Sequence, residues 1–173
     1  MKFTLAVDPG IRGCGVALFD GPLLFKASYV KNTETEGNGP FQCSCMADEI
    51  LRYAVDSGDI DRKKQFIDLV LEWPQVYVKS KGDPNDLLAL AGIGAALVTR
   101  VFDIRPGQVD EVIHYLPREW KGQVPKAIHQ TRIKKALAPE EIAKISAPKS
   151  LLHNVYDAVG LGLFRLGRMK GKV

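Results

Sequence analysis

Residues 3–30, FTLAVDPGIRGCGVALFDGPLLFKASYV, decide the fold. Phe3 to Val7 is an apolar run of strand length, and Asp8-Pro9-Gly10 ends it with a turn. Gly15 to Phe19 predicts a second strand and Leu23 to Val30 a third. Three short strands joined by tight turns predict an antiparallel meander.

The pattern changes beyond the meander. Asn32 to Pro40 is polar and Gly-rich, a loop, and Phe41 to Ser57 repeats its apolar residues at helical spacing. Asp59 to Lys64 reads as a charged turn. Phe66 to Trp73 reads as a fourth strand, ended by Pro74. Asp83 is a natural N-cap with Pro84 at the first helical position. Leu87 to Phe102 is small and apolar almost all round, which predicts a buried helix. Val109 to Tyr115 suits a fifth strand. Pro125 to Leu137 forms a basic helix and Pro139 to Ile145 a shorter one; Ser146-Ala147-Pro148 breaks the chain before a last helix at Ser150 to Met169. This order predicts an α/β, RNase H-like fold. Its mixed five-stranded sheet has three antiparallel strands, then two parallel ones, flanked by helices. The 173 residues suit a single domain with a basic C-terminal tail.

Hydrophobic residues make up 46% and charged residues 25%, the balance of a globular chain. No uninterrupted run of about 18 apolar residues occurs, so no membrane span is expected. The apolar start before Asp8 is too short for a signal peptide, and a cytoplasmic location is the expectation. Cys14, Cys43 and Cys45 lack the spacing of a zinc site, and reduced thiols are the simpler reading. The net charge of +4 is unevenly distributed: Pro117 to Val173 carries 12 Lys/Arg against 4 Asp/Glu, and the remainder is acidic. That asymmetry suits either a polyanionic partner or a solubilising surface.

Three acids stand where chemistry is possible. Asp8 ends the first strand, although an Asx-type turn would use the same residue. Glu72 closes the apolar run Leu69-Val70-Leu71, where an acid is costly unless paired, metal-bound or already in solvent. Asp157 lies in the last helix, sharing a face with His153 and Asn154. Oxygen ligands of this kind suit Mg²⁺, and a pair of such ions roughly 4 Å apart can drive phosphodiester cleavage. Gly160 and Gly162 weaken that helix, so close packing against a neighbour is expected to compensate.

These motifs resemble those of the RuvC-type Holliday junction resolvases. VDPGIRGCGVALF around Asp8 is similar to the family's first-strand motif. Glu72 in VLEWP resembles its second acid, and Asp157 in DAVGL resembles its C-terminal helix motif. The similarity runs in order from Phe3 to Arg165. It implies a homodimer that binds four-way branched DNA and resolves it by paired incisions. It also implies Mg²⁺ as cofactor, with Mn²⁺ able to substitute and two ions per active site. Asp8, Glu72 and Asp157 would be catalytic metal ligands. The family usually has an acid or His three residues before the last Asp. Here that position is Asn154, with His153 one residue further back, and either could complete the site.

Arg12, Trp120, Lys121, Lys126, Arg132, Lys134 and Lys135 are candidate DNA contacts, though a solvated helix face explains the later ones equally well. Arg165, Arg168, Lys170 and Lys172 add positive charge that a frayed end would also explain. Three competing readings share the fold: another RNase H-superfamily nuclease, an ATPase of the actin and heat-shock-chaperone type, and a non-catalytic DNA-binding module.

Overall fold

A computed structural model describes residues 2–34, 36, 39–55, 66–76, 83–104, 107 and 109–170. The charged turn expected at 59–64 and Lys172 lie outside the described residues. The meander forms as its pattern predicts: β1 (Lys2–Asp8), β2 (Gly13–Asp20) and β3 (Leu23–Lys31) pair antiparallel in sequence. Helix α1 (Gly39–Val55) then carries the chain to β4 (Phe66–Glu72), which lies parallel to β1. Helix α2 (Pro84–Ile104) leads to β5 (Val109–Tyr115), parallel to β4. The remaining elements are α3 (Pro117–Trp120), α4 (Lys126–Ala136), α5 (Pro139–Ile142), β6 (Ile145–Ser146) and α6 (Leu152–Arg165).

The sheet has six strands rather than the expected five, in the order β5-β4-β1-β2-β3-β6. The sixth is two residues long and pairs Ile145 and Ser146 with Ala27 and Ser28. So short a segment has no alternation to read, and its pairing comes from neighbours: Lys144 Nζ donates to the Leu24 carbonyl, and Ser28 Oγ to that of Ser146.

Alternation along the strands divides the core in two. Phe3, Leu5, Val7, Leu69 and Leu71 face α1 and α2. Ala6, Ala17 and Val70 face α6, with Trp120 and Ile133. Asp8 and Glu72 keep the parity of Ala6 and Val70, so both acids leave the sheet on the α6 side. There the helix backbone presses directly on β2: a Cβ on Gly15 would stand 2.0 Å from the Asn154 carbonyl oxygen. Gly160 meets Trp120 and Ile133, and Gly162 meets Phe19, all too closely for a methyl group. This is the compensating contact that two helix-weakening glycines require.

Asp83 caps α2 as expected, its carboxylate accepting from the Asn85 N–H at 2.9 Å. The helix itself corrects the reading of a fully buried element. Ile93, Leu97 and Val101 enter the core, but Leu88 and Phe102 are exposed. Pro84 to Asp103 is long and apolar enough to cross a membrane by length and composition, with 22% of that window buried. Asp86 and Arg100 interrupt its apolar run, which is why no span stands out in the sequence. All three cysteines are free thiols.

The C-terminal arginines are not frayed. Arg165 pairs with the buried Asp68 at 3.2 Å and with Glu111. Arg168 makes a bidentate pair with Glu141 at 2.7 Å and donates to the carbonyls of Pro22 and Ala136. Glu141 also accepts from the Leu24 N–H at 2.7 Å. Those contacts, led by Arg168, hold the Glu141 carboxyl down at about 2. They lock the segment just after α6 onto the meander.

Candidate active site

Asp8, Glu72 and Asp157 converge where the C-terminal ends of β1 and β4 meet α6. The crevice outside the carboxyl ends of parallel strands is where open α/β sheets bind ligands. The turn after Asp8 is held by Gly13 N–H donating to the Gly10 carbonyl at 3.2 Å and by Gly10 N–H reaching Cys14 Sγ at 3.4 Å. Asn32, buried at the end of β3, donates from its amide to the Ile11 and Gln42 carbonyls. The Asp8 turn is therefore clamped to both β3 and α1.

An ammonium group stands among the acids. Lys121 Nζ lies 3.0 Å from Glu72 Oε2 and 3.4 Å from Asp157 Oδ2. Trp120, the preceding residue, is fully buried, and its Nε1–H donates to Glu72 Oε2 at 2.9 Å. The chain positions this pair economically. Pro117 starts α3, Glu119 accepts from the Leu116 N–H, and Gly122 turns the chain away at a φ of 63°. Such a left-handed residue costs least when it is glycine. The ring of buried His129 packs edge-on against Trp120, centroids 5.0 Å apart.

The electrostatics follow from the count. Burial pushes the Asp8 carboxyl well above its usual range, and the charges of Glu72 and Asp157 push the same way. Burial also raises Glu72, with Asp157 adding to the shift and Lys121 and Trp120 opposing it. Burial alone would lower the Lys121 ammonium, but Glu72, Asp157 and Asp8 outweigh it and the net direction is upward. For His129, burial lowers the ring's pKa, and neither ring nitrogen has a partner among the described residues. Three carboxylates against one ammonium leave a fully ionised cluster two charges short of neutral.

That deficit and an all-oxygen donor set fit one hard divalent cation. As arranged, no group of three His, Cys, Asp or Glu side chains among the described residues is disposed to hold an ion. Lys121 occupies the space between Glu72 and Asp157 and neutralises part of their charge.

The other sequence candidates divide. His153 and Asn154 sit half-buried in the first turn of α6, and neither makes a side-chain hydrogen bond among the described residues; only Asp157 of that face reaches Lys121. Trp120 is corrected from a DNA contact to a core residue, because its ring is buried and its N–H is committed to Glu72. Lys121 moves from an outer phosphate grip into the carboxylate cluster. Arg132 turns back to the Lys170 carbonyl at 2.7 Å, and Lys134 lies over the Tyr156 ring. Lys126 is exposed and close enough for its charge to oppose the upward shift of Asp8. Arg12 and Lys135 are exposed. The sequence marks Trp120 and Lys121 as DNA contacts but not as partners of Glu72; the signal for that pairing is an aromatic N–H donor beside a lysine in a Pro- and Gly-bounded turn.

Comparison with solved structures places this geometry among known folds. Thermus thermophilus RuvC aligns over 98% of this chain and 99% of its own, with a TM-score of 0.59 and 15% identity. This chain has the fold of RuvC. The same T. thermophilus RuvC in complex with a Holliday junction substrate aligns with a TM-score of 0.55 at 15% identity, covering 99% of this chain and 100% of that one. The yeast mitochondrial Holliday junction resolvase aligns at 0.56 and 10% identity, over 95% of this chain and 79% of its own. No family model and no curated protein matches the sequence. At such identity the RuvC likeness lies in the path of the chain: the mixed sheet, the helices on its two faces and the final helix crossing β1 and β2.

Proposed function

We propose that this chain is a divalent-metal-dependent endonuclease that resolves four-way DNA junctions by phosphodiester hydrolysis, working as a homodimer in the cytoplasm. The observation that carries the reading is the meeting of Asp8, Glu72 and Asp157 around Lys121 in a chain with the RuvC fold. The T. thermophilus RuvC of that fold is described with a Holliday junction as its substrate.

Asp8, Glu72 and Asp157 would hold the metal, Mg²⁺ or Mn²⁺, and Asn154 or His153 is placed on the same helix to assist. When bound, the metal would lower the pKa of a water and stabilise charge on the phosphoryl oxygens. The chain's own groups do the rest. Trp120 fixes the Glu72 carboxylate through Oε2, and Lys121 spans both oxygens, at 3.0 Å from Oε2 and 3.3 Å from Oε1. Without metal, Lys121 opposes the burial-driven rise of the Asp8 and Glu72 carboxyls, and its ammonium is free to turn towards a phosphate once a cation replaces it. The sheet ends and α6 make a rigid platform, which a site with donors this close requires. Lys126, beside Asp8 and exposed, is placed to receive a neighbouring phosphate; such a contact fixes position and carries no sequence information.

The test is incubation of the purified chain with a synthetic four-way junction and with the matching linear duplex, each with Mg²⁺ or with EDTA. The expected result is paired nicks in the junction only, and only with metal. Glu72→Gln is expected to bind the junction and leave it intact. Cutting by that variant at the wild-type rate would remove the carboxylate cluster from the reaction.

A further inference from the structure

The free edge of β3 carries a second feature beside the site. Tyr29 pairs with Gly15, which pairs with Asp8, so the three form one cross-strand row. Directly opposed residues point to the same face of a sheet. Tyr29 therefore stands on the Asp8 face, two strand spacings away, or about 10 Å. The backbone of α6 at Asn154 and Val155 covers Gly15 between them, so a strand passing from Asp8 to Tyr29 runs past the Gly13 turn. Lys31, opposite Gly13, shares that face. The Tyr29 ring tip lies over Gly13, where any Cβ would come within 2.6 Å of it, so a bare glycine seats the ring beside the Asp8 turn.

The groove along this edge has a volume of about 630 Å³. Tyr29, Lys31, Lys26, Arg52 and Tyr53 contribute to its lining, with Glu49 as its acid. Arg52 answers Glu49 at 2.7 Å, and Thr33 donates to it at 3.0 Å. The lining thus keeps a positive excess. Arg12 extends that excess: its charge is close enough to Tyr29 to oppose the burial-driven rise of that phenol, and its carbonyl accepts from the N–H of buried Asn32 at 3.1 Å. Past Ser28, no described strand pairs with this edge.

We propose that the β3 edge is a nucleic-acid subsite, taking the strand that carries the scissile phosphate as it leaves the carboxylate cluster. Arg12 and Lys31 hold its phosphates and the Tyr29 ring supports one base. At 3.4 Å per nucleotide of stacked strand, 10 Å places that base about three nucleotides from the cut, or fewer if the strand is extended. The proposal rests on the nuclease reading above and adds a position to it.

The experiment uses the full chain carrying Glu72→Gln, which isolates binding from cutting. The probe is a four-way junction with the fluorescent base 2-aminopurine at one to four nucleotides on either side of the cut. Tyr29→Ala is expected to weaken binding about 5- to 100-fold, the range for losing one base–aromatic stack, and to abolish the fluorescence change at a single position. Tyr29→Phe keeps the ring and is expected to retain both. Arg12→Gln with Lys31→Gln is expected to lower the slope of log K against log salt by about 1.5. Melting curves certify that each variant is folded. Unchanged affinity and salt slope in folded variants that still bind the junction would overturn the subsite and leave the nuclease reading standing. A parent chain that binds no junction would overturn both.

Discussion

Removing the charge of Asp8 should stabilise the metal-free protein. Asp8 is desolvated, faces Glu72 and Asp157, and receives no side-chain hydrogen bond or ion pair among the described residues. Its carboxyl is therefore held well above the unfolded value of 3.8. A carboxyl raised by folding binds its proton more tightly in the native state. The native state is then favoured most below pH 3.8, and that advantage is lost as pH rises through the folded pKa. Each unit of elevation corresponds to about 1.4 kcal/mol. In a chain of this size, ~1 kcal/mol moves Tm by about 2–4 °C. Asp8→Asn keeps the side-chain shape and deletes the charge. In EDTA at pH 7 the variant should melt above wild type, by about 2–4 °C for each ~1 kcal/mol released, and the gap should close as pH approaches 4. Mg²⁺ should reverse the ranking: a ligand at 100 times its Kd adds about 2.7 kcal/mol to the state that binds it, and wild type is the better binder. Thermal melts monitored by circular dichroism from pH 4 to 8, with EDTA or Mg²⁺, measure all of this. A variant that melts below wild type in EDTA, or a gap that ignores pH, would refute the account of a charge-frustrated cluster.

Other perturbations probe the scaffold. Trp120→Phe retains the buried ring but deletes the N–H to Glu72, a charge-assisted bond of about 1.5–3 kcal/mol. Junction cleavage should fall about 10- to 100-fold in single-turnover assays while junction affinity holds. Gly15→Ala puts a methyl group 2.0 Å from the Asn154 carbonyl, a clash with backbone that no rotamer relieves. It should displace α6, costing ~1–3 kcal/mol in urea unfolding and most of the Mg²⁺-induced rise in Tm. Glu141→Gln removes a carboxyl held at about 2, so its stabilisation is complete above pH 4.5 and disappears as pH falls through about 2. The variant should lose up to ~3 kcal/mol by urea unfolding at pH 7 and little at pH 2.

Much of the architecture was legible because its signals are local. Turn residues after Asp8 and Asp20, and the short apolar runs of β1, β2 and β4, are enough to define the strands and to set Asp8 and Glu72 at strand ends. The resemblance to the RuvC motifs supplied the third acid on α6. What was illegible depends on distant neighbours. The two-residue β6 exists because Leu24 and Ser28 bind it, and Arg168 is structural because Glu141 of α5 faces it. The apolar α2 read as buried because its composition says nothing of how much partner surface the fold supplies.

By itself, the chain's sequence determined the strands, the helices and the acids at their ends, since period, turn chemistry and the cost of an acid after an apolar run are properties of a few adjacent residues. Only the tertiary structure decided that a lysine from a short turn would stand between Glu72 and Asp157, with the neighbouring indole fixed on Glu72. Residues 49 and 36 positions apart meet there through packing, and long-range electrostatics have no signature in a linear pattern of charge.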